Sequence, residues 1–238
     1  MSFRCLFHVH TRYSMDSILQ PSKIVHEARR LSAEVVIITD HNTIRGSREV
    51  QRLATGGSLL VPTAAEYQTE KGDVIGVFMQ EEIHLGSAED TIRQIRAQGG
   101  LVVLPHPFKA HRLDDGFLAE MDLIEACNSR CSLKENASAK DLAERLGRPV
   151  IGGADAHCAN ELGTVMNHFS GQLPQNEESL RRALLSAPSQ IEFRPVSGIF
   201  RPYSQMIKAV KTRNPALFLS QSKHLAMTWV RESWRQLA

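Results

Sequence analysis

The chain has 238 residues, is 42% hydrophobic and 23% charged, and carries a formal net charge of +2. That is room for one large α/β domain or two small ones, and so even a charge balance gives no general drive toward nucleic acid or anionic membrane. The opening residues lack the unbroken apolar core of a signal peptide. No run approaches the roughly 20 apolar residues of a membrane span. The four cysteines (Cys5, Cys127, Cys131, Cys158) have neither a disulfide framework nor zinc-ribbon spacing, which fits reduced thiols in a cytoplasmic protein.

In chain order, Phe3 to His10 reads as a strand that ends in two histidines, with His8 and His10 spaced to share one face. A polar loop carrying Asp16 follows. Pro21 then opens a helix with Ile24, Val25, Ala28 and Leu31 at helical spacing. Val35 to Thr39 has the continuous apolar texture of a strand buried on both faces, and it runs into Asp40-His41-Asn42-Thr43. Ser47 to Leu53 reads as a helix and Leu59 to Ala65 as a strand ending at Glu66. Lys71-Gly72 marks a hairpin turn into a strand over Asp73 to Met79. Ala88 to Gln98 is a helix stopped by Gly99-Gly100. Strands at Leu101–Leu104, Leu123–Cys127 and Val150–Gly153 end at His106, at Asn128 and at Asp155-Ala156-His157. A helix over Leu133 to Leu146 lies between the last two, and another is expected near Glu178 to Ser186.

Repeated strand–helix units predict a parallel α/β architecture, and a distorted β/α barrel accounts for reactive residues gathering at successive strand ends. His8, His10, His41, Glu66, His106, Asp155 and His157 all fall at such ends. This is an imidazole and carboxylate set without cysteine, and too many donors for one tetrahedral zinc. Two or three divalent ions, Zn, Mn or Fe, suit it better. No glycine-rich phosphate loop follows a strand.

The motifs Phe7-His8-Val9-His10, Tyr13 to Ser17, Thr39 to Thr43, Ala65-Glu66, Pro105-His106-Pro107, Glu125 to Arg130 and Asp155-Ala156-His157 occur in this order over Phe3 to His157. Together they resemble the PHP (polymerase and histidinol phosphatase) family. The resemblance implies a distorted (β/α)7 barrel with a multinuclear metal site at its mouth. It implies one ion on His8, His10 and Asp155 with Glu66 bridging, a second on Glu66 and His106, and a third on Asp16, His41 and His157. The chain departs from the fullest pattern at Asp16, where histidinol phosphatases often carry His. It departs again between Glu66 and His106, where the family's extra His has no clear match and only His84 falls in the interval.

The activity expected is hydrolysis of a small phosphomonoester, with Asp16 or His157 supplying the leaving group's proton and Arg12, Lys109 and Arg130 as phosphate partners. A phosphodiesterase or 5′ exonuclease acting on nucleotides or short oligonucleotides, hydrolysis of a non-phosphate substrate, and a non-catalytic metal-binding module are the alternatives. The charge argues against a long nucleic-acid footprint. Domain 1–197 holds the whole constellation. The basic segment 198–238 is expected to pack on the barrel as a helix, through a stripe of Met227, Val230 and Trp234, with a basic interfacial or oligomer helix as the alternative.

Overall fold

A computed structural model describes residues 2–187 and 189–237. Its nine strands are β1 (Ser2–Val9), β2 (Val35–Ile38), β3 (Ala64–Thr69), β4 (Gly72–Val77), β5 (Leu101–Leu104), β6 (Leu123–Asn128), β7 (Val150–Gly153), β8 (Val165–Ser170) and β9 (Ser189–Phe193). Its eight α-helices are α1 (Pro21–Arg30), α2 (Arg45–Ala54), α3 (Ala88–Ala97), α4 (Asp115–Ala119), α5 (Leu133–Leu146), α6 (Glu177–Ser186), α7 (Phe200–Lys211) and α8 (Pro215–Leu237).

The chemistry of each boundary is plain where the sequence marks it. Ser132 and Glu135 close a capping box at the start of α5, and Gly147 ends it in the left-handed region at φ 60°. Ser87 caps α3 by accepting from the Asp90 N–H. β3 differs from expectation: it begins at Ala64, so Glu66 lies inside the strand rather than at its end. Pro62 lacks the N–H a ladder needs, which confines the preceding residues to the single Val35–Leu60 bridge.

The strands form two sheets, in the orders β2-β1-β8-β9 and β3-β4-β5-β6-β7. β1–β2, β5–β6 and β6–β7 pair in parallel, while β3–β4–β5 and β1–β8–β9 are antiparallel. The ladders therefore do not close the expected seven-unit barrel. β8 occupies the edge of β1 along Ser2–Cys5, which leaves β7 only the far end, where Val9 bridges Ala156. At the other seam His41 bridges Glu66. Both seams thus fall at the ends of β1 and β2, and the polar loops converge there.

The segment after residue 198 is helical, as expected, but its packing is not. Met227, Val230 and Trp234 are 54%, 45% and 72% exposed. The contact with the body of the protein runs through α7 instead, which buries Pro202, Ser204 and Ala209. Among the described residues no helix is long and apolar enough to cross a membrane.

Candidate metal centre

Eight residues expected to hold metal come together at the sheet ends. His8, His10, Asp16, Glu66, His106, Asp155 and His157 are buried, and His41 is half-buried. Three groupings bring one donor atom per residue within 4.8 Å of one another: His8, His10 and Asp155; His8, Glu66 and His106; and His10, Asp16, His41 and His157. His8 sits on an irregularity in the β1 ladder between Phe7 and Val9, with φ 63°, and His10 lies just past the strand. The two imidazoles converge because of this bulge, not because they alternate along a regular strand. His106 at φ 27° and Asp155 at φ 48° are likewise in the left-handed region.

Hydrogen bonds at the outer nitrogens decide which atom each ring presents inward. His8 Nδ1 lies 2.7 Å from Glu125 Oε1, and Glu125 Oε2 accepts from the His106 N–H at 2.7 Å and from Asn128 Nδ2 at 2.9 Å. The Ser14 hydroxyl donates to Asp40 Oδ1, so its oxygen can only accept from His10 Nδ1 at 3.1 Å. His157 Nδ1 lies 2.8 Å from the Asp155 carbonyl oxygen, which can only accept. In all three rings a proton sits on Nδ1 and Nε2 is turned toward the centre, the arrangement a metal-binding histidine needs once Nε2 is bare.

The donor spacing passes a further test. Two donors about 2.1 Å from a shared tetrahedral ion lie about 3.4 Å apart. His8 Nε2 is 3.5 Å from Glu66 Oε2 and 3.8 Å from Asp155 Oδ1, and His10 Nε2 is 3.5 Å and 3.6 Å from the same two oxygens. His106 Nε2 is 3.2 Å from Glu66 Oε1. Asp16 Oδ2 is 3.2 Å from His157 Nε2 and 3.5 Å from His41 Nε2. His8 Nε2, His10 Nε2, Asp16 Oδ1, His41 Nδ1 and His106 Nδ1 are buried without a hydrogen-bond partner. Such orphaned atoms are costly unless something else satisfies them, and this donor set fits divalent ions.

Charge follows the same plan. Burial alone would raise the Asp155 carboxyl, but Lys109, His8 and Arg130 outweigh it and hold its pKa well below the usual carboxylate range. Burial, reinforced by His157 and His41, keeps His10 neutral. His8 is pulled up, against burial, by Glu125, Glu66 and Asp155. His41 is lifted to about 9, also against burial, by Glu66 and Asp16.

Asp73 is a member of the site that the sequence reading missed. Its Oδ2 lies 4.0 Å from His106 Nε2, and burial followed by Glu66 raises its pKa to about 6. It fills the interval in which His84 had been the only candidate. His84 is on an exposed loop, with its backbone bonded to Gln94. Glu161 was also missed. It is buried, binds the Arg130 guanidinium through both oxygens, and accepts from the His157 and Cys158 N–H groups.

The centre opens into a cavity of about 490 Å³ whose walls include Asp16, His41, Glu66, Asp73, His106, Lys109, Arg130, Asp155 and His157. Lys109 Nζ lies 3.2 Å from Asp155 Oδ2. Arg12, expected to contact phosphate, does not line this cavity: its exposed guanidinium pairs with Glu49 at 3.5 Å and stacks on the Tyr13 ring.

Buried histidines and carboxylates gathered at the strand ends of an α/β fold form clusters compatible with metal binding. The PHP domain matches residues 7–105, and the PHP-associated segment matches residues 134–187. An uncharacterized protein of Methanocaldococcus jannaschii, MJ1587, is 41% identical over 136 residues, which are 51% of this chain and 80% of that one. The chain belongs to the PHP family. Its fold is also that of a two-domain protein of Bacteroides vulgatus containing a predicted PHP-like metal-dependent phosphoesterase. That comparison has TM-score 0.70 and 18% identity, over 85% of this chain and 69% of the other. The lesion-specific endonuclease EndoQ of Pyrococcus furiosus shares the fold at TM-score 0.60 and 15% identity, over 80% of this chain and 58% of that one.

Proposed function

We propose that the protein is a metal-dependent phosphoesterase that hydrolyses a small phosphomonoester. The observation that carries this reading is the set of inward-facing, unpartnered Nε2 atoms spaced as donors around shared ions. His8, His10, Asp155 and Glu66 would hold one ion. Glu66, His106 and Asp73 would hold a second, and Asp16, His41 and His157 a third. Zinc, manganese or iron would suit these ligands, and when bound the ions would acidify water and offset charge on the phosphoryl oxygens.

The chain's own groups do the rest. Lys109 Nζ, beside Asp155, and Arg130 at the cavity wall receive the non-bridging phosphoryl oxygens. The proton for the leaving oxygen falls to the Asp16–His157 pair, 3.2 Å apart at the open side of the centre. The same pair can hold an ion with His41, so occupancy of that group and proton delivery compete. Residues 1–197 form the hydrolase unit in this reading, residues 198–238 its helical extension, and free thiols fit a cytoplasmic setting.

The test combines metal analysis with a panel of phosphomonoesters after reconstitution with each metal. Glu66→Gln should lose metal and turnover while still melting cooperatively. Less than one ion per chain in the parent, or wild-type turnover in the variant, would refute the reading. A phosphodiesterase or nuclease reading has one supporting observation, the fold shared with the Pyrococcus furiosus endonuclease. Faster cleavage of bis(p-nitrophenyl) phosphate or of a short oligonucleotide than of any monoester would favour it.

A further inference from the structure

Helices α7 and α8 lie beyond the segments matched by the family, 7–105 and 134–187, and they roof the metal cavity. Arg201, Gln205 and Lys208 reach it from α7, and Gln221 and His224 from α8. On α7 the spacing is i, i+4, i+7, one continuous helical face. Every side chain that the roof turns to the cavity is a hydrogen-bonding one, and two are permanent cations.

The roof is fixed in place. Lys211 Nζ donates to the carbonyl oxygens of Arg12, Ser14 and Ser17 at 2.8, 2.8 and 2.6 Å, which ties the end of α7 to the loop bearing Asp16. Arg130 Nη1 donates to Ser204 Oγ at 3.0 Å near the start of the helix.

The cations around the cavity divide by how they are partnered. Lys109 pairs with Asp155, and Arg130 pairs with Glu161. Arg201 and Lys208 have no carboxylate within ion-pair distance among the described residues. Positive charge facing a cavity without an internal partner is available to a ligand. It lies on the roof, across from the centre where the ester would react.

We propose that α7 and α8 form a second anion subsite, in which Arg201 and Lys208, assisted by Gln205, Gln221 and His224, bind an anionic group at the end of the substrate remote from the scissile phosphate. The substrate class is then a compact phosphomonoester with a second phosphate or a carboxylate at its far end. A cavity of about 490 Å³ is of a size to enclose such a molecule. The inference rests on the phosphomonoesterase reading of the centre.

The experiment uses the full chain loaded with metal and three sets of substrates matched in carbon chain length: alkyl monophosphates, alkanediol bisphosphates and ω-carboxyalkyl phosphates. The readout is the ratio of kcat/KM between a doubly charged substrate and the alkyl monophosphate of equal length. The expected preference is about tenfold, the order of two solvent-edge charge contacts, and is carried mainly by KM. The bisphosphate and carboxylate arms show which second anion is favoured. In the R201Q/K208Q variant the ratio should fall to about one, and because it is a ratio, a general loss of activity does not imitate this. A parent that shows no preference at any length, or a preference that survives in the variant, would overturn the subsite. If no monoester is turned over, the phosphomonoesterase reading fails, and calorimetric affinities of the same compounds for the metal-loaded protein decide the subsite. Tighter binding of the bisphosphate that is lost in the variant sustains it, whereas equal affinities or an unchanged preference overturn it.

Discussion

Glu125 touches none of the donor atoms that would meet an ion, yet its replacement by Gln should weaken metal binding. Both its oxygens act only as acceptors: one faces His8 Nδ1, and the other faces the His106 N–H and Asn128 Nδ2. Glutamine has one acceptor oxygen and one donor nitrogen. Keeping the oxygen toward His106 and Asn128 preserves two bonds and turns the NH2 toward His8 Nδ1. The ring then meets a donor where it had an acceptor, and its proton is best placed on Nε2, the atom that must stay bare to hold an ion. Loss of such an outer partner costs roughly 10–100-fold in metal affinity, or about 1.4–2.7 kcal/mol. Gly153→Ala should act on the same link by crowding: a Cβ there would lie 1.6 Å from Glu125 Oε1 and 2.9 Å from the His8 Cβ. The assay is competition with a zinc chelator, alongside nitrogen NMR of the histidine rings to read the tautomer. Parental affinity in Glu125→Gln, with His8 still protonated on Nδ1, would refute the reasoning.

Metal loading near neutral pH should release about two protons, one each from His8 and His41. Both have pKa values raised above the ordinary histidine value, that of His41 to about 9, so both are protonated in the metal-free protein. Affinity should therefore fall as pH drops below these values, and calorimetry in buffers of different ionisation enthalpy would expose the idea as wrong if no protons appeared. Lys211→Met removes three carbonyl contacts and should lower stability by about 1–2 kcal/mol, discounted for partial exposure, with looser metal binding at Asp16. A melting temperature and zinc affinity both equal to the parent's would contradict this. Replacing Met227, Val230 and Trp234 together with polar residues should cost little, since exposed substitutions usually stay within about 0.5 kcal/mol each. A fall in melting temperature of ten degrees or more would show that the stripe is covered in solution.

Much of the fold was legible because the interior strands are short apolar runs with sharp ends. The runs at Leu101–Leu104 and Val150–Gly153 were readable to the residue, and so was α5 over Leu133–Leu146. β8 and β9 were not. β8 contains Asn167, a residue that argues against a buried strand until its partners are seen: it accepts from the Gly152 N–H and donates to the Gly152 and Cys5 carbonyl oxygens. Tertiary bonding overrides propensity there. The stripe at Met227, Val230 and Trp234 was real as a pattern, but periodicity gives the face of a helix and not what lies against it.

The site was readable because its donors stand at strand ends in ordered motifs. Asp73 escaped notice because, next to a turn, it resembles an ordinary hairpin polar residue. The register held the signal: Glu66 lies opposite Ile75, so Asp73, two residues earlier on β4, shares the face of Glu66. Ser14 and Glu161 had no such signal, since their roles depend on loops that meet only in the folded chain.

His8, His106 and Asp155 hold left-handed backbone that L residues adopt at a cost of roughly 1–2 kcal/mol each. Glycine would occupy those bends with less strain, and asparagine would tolerate them better. Heat resistance and ion binding thus reward different residues at three positions of one small centre. A laboratory selection for thermal endurance alone, run without metal, would drift away from the chemistry first at these three bends. A selection run with metal present would hold them fixed.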